Sequence, residues 1–264
     1  MIDLWNPNSY TVELQQLLTA ESQLIFDYQS EAYRLMDEHF NSSPYQSLKS
    51  NRFNADYLRF QEHTLSPILA KTRIRAWHYT RLMNHEVNAM YQRLVPSSLK
   101  FLQERLNTLV AMEVLTQEEA NVLLEESPFR SQGDIRSGKL WTVIVPLRSS
   151  DGGISPLLGS WGGESAYFWL SDESLAAKLN TLGVPRILEI EVGLSDDLNA
   201  FKVSDTVLEA WAKKLGISVA PSGCDLAITN CLSTAKLMRV HTEGESSFDA
   251  VAKTYPEGVS ELIT

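Results

Sequence analysis

Beyond about residue 70 the chain changes its period, and that change limits its architecture more than any other feature. Short runs rich in β-branched and aromatic residues appear at 75–80 (RAWHYT), 140–147 (LWTVIVPL), 166–170 (AYFWL) and 186–194 (RILEIEVGL), with a final pair at 225–228 and 237–241. Long helical stretches separate them. Strands of this length spaced by helices predict a mixed sheet-and-helix domain of the α+β class. In RILEIEVGL, Leu188, Ile190, Val192 and Leu194 alternate with Ile187, Glu189, Glu191 and Gly193, which predicts an apolar face backed by two carboxylates.

The preceding residues read differently. Between residues 10 and 40, Leu14, Leu17, Leu18, Leu24, Ile25, Tyr28, Tyr33 and Leu35 recur mostly at three- and four-residue intervals without Pro or Gly, the period of a helix. The Ser, Asn and Pro of 41–51 predict a connection, and 57–69 a further helix up to Pro67. This divides the chain into an N-terminal helical region, 1–70, and a second domain, 71–264. Within the latter, residues 84–127 are expected to be helical, with Asn84, Ser97 or Ser98, and Thr116 with Glu119 as caps. Helices at 174–182 and 204–215 should stop at Gly183 and Gly216.

Charge is uneven. The chain carries a formal net charge of -10, yet residues 71–110 hold seven Lys and Arg against Glu86 and Glu104, an island of +5. Such an island can attract phosphate, while the overall acidity argues against broad nonspecific nucleic-acid binding. No run of 18 apolar residues occurs, and MIDLWNPNSY lacks the charged and apolar regions of a signal peptide, so no membrane partner and a cytoplasmic location are expected. The two cysteines, Cys224 and Cys231, match no zinc or redox spacing and read as reduced thiols. No metal site is expected.

Three features carry possible chemistry. His78 sits inside a short strand within the basic island, in Trp77-His78-Tyr79-Thr80. Gly162 and Gly163 precede Glu164 and the aromatic run Tyr167-Phe168-Trp169, so backbone can approach a ligand closely there, although Gly-Gly is also an ordinary turn. Asp225 stands at the start of a late strand.

In that order, residues 73–242 resemble the ADP-ribosyltransferase superfamily, in the branch of poly(ADP-ribose) polymerases, diphtheria-like toxins and DarT-like nucleic-acid modifiers. The resemblance implies a split β-sheet core with inserted helices, the ART-like fold. It implies NAD as substrate, with His78 holding its ribose, Thr80 as the Ser or Thr that commonly follows two residues later in the NAD site, and Tyr79 where the family commonly has Gly. Gly163 and Tyr167 look like the family's Gly-x-x-x-Tyr-Phe, with Tyr167 as the plate for nicotinamide. The family's catalytic glutamate corresponds to Asp225, one methylene shorter, and Glu164 is the alternative carboxylate. Glu189, Glu191, Glu243 and Glu245 are lesser candidates.

For the pyrophosphate, Arg75, Arg81 and Arg136 are the candidate cations, Arg136 being the best positioned in sequence. The implied activity is mono-ADP-ribosylation of a macromolecule, nucleic acid or protein, by a toxin or phage-defence effector. A restraining antitoxin or regulatory protein is an implied partner, and the N-terminal region would regulate the enzyme or recognise its target. Alternatives are an NAD glycohydrolase, a non-catalytic binding module and, with fewer basic residues than it would demand, an RNA 2'-phosphotransferase.

Overall fold

A computed structural model describes residues 1–40, 49–194, 197–219, 223–229 and 235–254. Cys231 and most of the 41–51 connection lie outside the described residues. The chain forms two compact units, residues 1–75 with 193–224, and residues 76–192 with 225–264. The sequence boundary near 70 thus falls close to the first junction, while residues 193–224 join the N-terminal helices.

The first unit contains α1 (Val12–Ala20), α2 (Ser22–Phe40), α3 (Asn54–Phe60) and α4 (Ser66–Leu69). Pro67 sits in the first turn of α4, after a π-helical turn, Gln61–Leu65, so the expected single helix over 57–69 is interrupted ahead of the proline. Packed with these helices is a long one from later in the chain, α12 (Asp197–Lys214). Its Ala200, Val203, Val207, Leu208 and Trp211 are buried. The buried Gln61 amide donates to Ser204 Oγ at 2.8 Å and Asp205 Oδ1 at 2.6 Å, and the Trp211 indole donates to Ser22 Oγ at 3.0 Å. These two polar side chains carried into the core therefore have partners, as burial demands.

The second unit is built on strands β1 (Arg73–Leu82), β2 (Leu140–Val143), β3 (Val184–Gly193), β4 (Asp225–Ile228) and β5 (Ala235–Thr242), in the order β4-β2-β1-β3-β5. Pairs β1–β2, β2–β4 and β3–β5 are antiparallel. Between β1 and β2 lie α5 (Asn84–Gln92), α6 (Leu99–Ala111), α7 (Gln117–Glu125) and α8 (Phe129–Arg136); between β2 and β3 lie α9 (Ser155–Gly159), α10 (Glu164–Tyr167) and α11 (Glu173–Leu179). Next come α12 (Asp197–Lys214) and, after β5, α13 (Ser246–Asp249). The α+β class expected from the sequence is the class observed.

Local signals explain most boundaries. Thr116 and Glu119 form the expected capping box, and Ser98 Oγ accepts from Phe101 N at 3.1 Å. Asn84 does not cap α5. Instead Glu86 accepts from the Met83 backbone N–H at 2.8 Å, and Asn84 Oδ1 accepts from the Arg186 guanidinium. Two apolar clusters fill the unit. One joins α6, α7 and α11 around Trp161, and the other sets Trp77, Tyr79 and Ile187 of the sheet against Leu158, Phe248 and Val251.

The two carboxylates of β3 differ in exposure, Glu191 keeping partial access to solvent. Glu189 is buried, with Oε2 3.5 Å from Nε2 of the buried His241. Strand alternation predicts which residues share a face, but a sheet covered on both sides buries both sets.

Gly183 ends the α11 segment at φ +67, as its position predicted. A Cβ there would lie 2.5 Å from the Leu82 backbone carbon and oxygen. Gly183→Ala combines a left-handed backbone with a clash that backbone atoms cannot relieve, and should cost about 2–3 kcal/mol in chemical denaturation.

Candidate active site

His78 lies on β1, an interior strand of the sheet. Its Nδ1 is 2.7 Å from the Trp141 backbone oxygen on β2. A carbonyl can only accept, so Nδ1 carries the proton and a neutral ring leaves Nε2 with a free lone pair. The ring keeps partial exposure, but desolvation depresses its pKa below 6.5; the Trp141 bond opposes that shift and the Arg105 charge adds to it.

The sign follows from linkage. Between the folded pKa and 6.5 the unfolded chain binds a proton that the folded chain does not, so His78 lowers stability as pH falls below about 6.5. His78→Gln should flatten that part of the stability curve. Urea midpoints of both proteins across this range would check it, and parallel curves would remove this role from His78.

The neighbours of His78 are committed elsewhere. Tyr79 points to the opposite side of β1, where its hydroxyl donates to Leu147 O at 2.9 Å and accepts from Leu147 N at 2.8 Å. Burial raises its pKa well above the usual phenol value, so it stays a neutral brace for the chain beyond β2. Thr80 is buried on the His78 side of the strand.

The run 166–170 is not a strand. Glu164–Tyr167 forms α10, and Phe168 and Trp169 follow it in a turn. Two glycines make this local choice. Gly162 has φ +84 and its missing Cβ would lie 2.6 Å from Ala166 Cβ, while the Gly163 carbonyl accepts from Ala166 N and Tyr167 N. The close approach that Gly162 permits is thus to the chain's own helix. Strand propensity in AYFWL yields to a helical turn with a preformed start.

This turn assembles three of the predicted residues. Glu164 Oε2 pairs with Arg136 Nη1, and Arg136 Nε donates to Gln132 Oε1 at 2.6 Å. Arg136 also lies over the Phe168 ring, 5.1 Å from its centroid. Tyr167 is half-buried, and its pKa is pushed up to about 12 by desolvation first and the Glu164 charge second, against the pull of Arg136. At neutral pH it is therefore a neutral ring and a hydrogen-bond donor.

Asp225 stands apart from His78. It is the exposed first residue of β4, opposite Val143, which is itself opposite Trp77. Residues opposite one another in antiparallel strands share a face, so Asp225 lies on the face of Trp77, and His78 on the reverse. No hydrogen bond or ring contact joins His78 to Tyr167 among the described residues.

Two of the cations proposed for pyrophosphate are spent on structure. Arg75 pairs with buried Asp3 at 3.4 Å, and Arg81 donates to the carbonyls of Leu182 and Leu158. Glu245 accepts from Thr242 N at 3.1 Å, and Glu191 and Glu243 are at least partly accessible.

Glu86 was missed. Buried at the start of α5, it accepts from Arg105 Nε at 2.7 Å, Trp161 Nε1 at 2.9 Å and Met83 N at 2.8 Å. Arg105 also covers the Trp161 ring at 4.3 Å. This network fixes the residue immediately before the Gly-Gly turn. Its place as one of two acids amid seven bases was the available signal, but nothing in the sequence paired it with a tryptophan 75 residues away.

Comparisons with protein-family profiles, curated proteins and solved structures gave no match to this chain. The ADP-ribosyltransferase resemblance therefore rests on its motif residues alone, of which Tyr167 lies on a helical turn and not on a strand. No helix among the described residues is long and apolar enough to cross a membrane, and no group of His, Cys, Asp and Glu among them could hold a metal ion.

Proposed function

We propose that this chain cleaves NAD and transfers ADP-ribose to a macromolecule, with Glu164 as the working carboxylate. The observation that carries the reading is the meeting of Glu164, Arg136 and Tyr167 beside the Gly-Gly turn. Breaking the bond between nicotinamide and ribose develops positive charge on the sugar, which a nearby carboxylate stabilises. Tyr167, neutral at physiological pH, supplies a ring for the cationic nicotinamide and cannot act as the base. Arg136 holds Glu164 through Nη1 and Gln132 through Nε, which leaves Nη2, without a hydrogen bond among the described residues, for a phosphate oxygen. His78 contributes a neutral imidazole as a ribose contact, with Nε2 as the acceptor.

The exposure of Asp225 on the reverse face from His78 favours Glu164 over it, and also motivates a second reading, an NAD-binding module without turnover. In either case Tyr167→Ala should weaken NAD binding about 2- to 30-fold, the range of a cation on an aromatic face. Titration calorimetry with NAD measures this; unchanged affinity would remove Tyr167 from the site. Acting on a macromolecule in the cytoplasm, such an enzyme fits a toxin or phage-defence effector, and a restraining protein partner follows from that role.

A further inference from the structure

The turn that carries Tyr167 continues into an exposed strip in which aromatic rings flank two cations. Trp169 and Phe168 meet edge to face with ring centroids 5.0 Å apart, and Arg136 lies over Phe168 at 5.1 Å. Arg136 follows Ile135, whose carbonyl accepts from Lys139 Nζ at 2.7 Å. Lys139 in turn lies over the Trp141 ring at 5.5 Å. Trp169 is 49% exposed, Phe168 and Trp141 are 45% each and Ile135 is 66%. Large apolar side chains linked in this way, and left in water, mark an interaction surface.

The basic island meets this strip. Lys139 pairs through its backbone with Ser97, and Lys100, three residues on, has a side chain 87% exposed. The surface therefore offers flat rings to stack upon with cations beside them, which complements a chain of unpaired bases joined by phosphates. A duplex hides its base faces and could use only the cations.

We infer that this strip, Trp169-Phe168-Arg136-Lys139-Trp141 with Lys100 at its edge, binds single-stranded nucleic acid. The inference deepens the proposed function by giving the acceptor a chemical class, and it rests on that reading only for the transfer step. Because the strip includes Arg136, which holds Glu164, a bound strand would lie next to the proposed site of NAD cleavage.

Fluorescence anisotropy with the full chain and a labelled oligothymidylate, against a duplex of equal length, tests the inference without NAD. Binding should favour the single strand and weaken about 5- to 150-fold in Trp169→Ala and again in Trp141→Ala. The logarithm of affinity should fall with that of salt at a slope no steeper than about −2, from three cations. Nicotinamide release from NAD alone should be unchanged in Trp169→Ala, so failure of the strip and failure of the NAD reading are distinguishable.

Equal affinity for duplex, or binding insensitive to both tryptophan substitutions, would overturn the inference. So would absence of oligonucleotide binding in a chain that self-associates and is dissociated by Trp169→Ala, which would assign the strip to a second copy.

Discussion

Replacing Glu86 by alanine is expected to lower the stability of the second unit by about 3–5 kcal/mol, the cost of breaking a buried ion pair from one side. The carboxylate does three jobs at once. It neutralises Arg105, satisfies the Trp161 indole and closes the start of α5 through Met83 N. Alanine leaves a buried guanidinium without its counter-ion and two N–H donors without acceptors, each of which carries its own desolvation cost. The exposed Glu118→Ala should change stability by less than about 0.5 kcal/mol. Urea denaturation of the three proteins would measure the difference, and a Glu86→Ala loss as small as that of Glu118→Ala would remove the network from the account.

The same network has a pH signature. Burial pushes the Glu86 carboxyl up, but the Arg105 charge and hydrogen bond, with the donors from Met83 and Trp161, hold it below its usual 4.5. A depressed folded pKa means that its contribution is fully present above 4.5 and disappears as pH falls through the lower folded value. The wild-type chain should lose this increment on acidification. Glu86→Ala has none to lose, so the two stability curves should converge in acid.

The second large effect concerns chemistry. Glu164→Gln keeps the shape of the side chain and a hydrogen-bond acceptor for Arg136 but removes the charge. A carboxylate that stabilises a developing cation or orients a nucleophile contributes about 10²- to 10⁴-fold, so turnover of NAD should fall by that factor. Folding should be almost unaffected, because the Glu164 side chain is 45% exposed and an exposed ion pair adds little stability. Asp225→Asn, on the other face of the sheet from His78, should leave turnover within a fewfold of wild type. Reversed effects would return the carboxylate role to Asp225 and require rearrangement of β4.

Strand positions were legible in the sequence wherever β-branched runs were long enough to outweigh alternatives. RAWHYT and the late pair lie within observed strands and RILEIEVGL does so up to Gly193, whereas of LWTVIVPL only Leu140–Val143 is strand. AYFWL was not legible, since its aromatic content signals burial in a strand, whereas Gly162 and Gly163 set a helical turn that leaves Phe168 and Trp169 outside. The burial of Glu189 was not legible, because a sequence shows alternation but not what covers each face. Membership of α12 in the first unit was invisible for a related reason: its apolar stripe identifies a helix, and only tertiary packing selects the helices it joins. Among the site residues, Glu164 and Arg136 were separately legible as charges near glycines, but their pairing depends on how α8 and α10 meet.

The most direct test is the rate of nicotinamide release from NAD by the purified full chain, compared with Glu164→Gln. If Glu164 is the working carboxylate of NAD cleavage, the wild type releases nicotinamide measurably and the variant loses at least about 10²-fold. Release at the same rate by both proteins, or none by either, would contradict it.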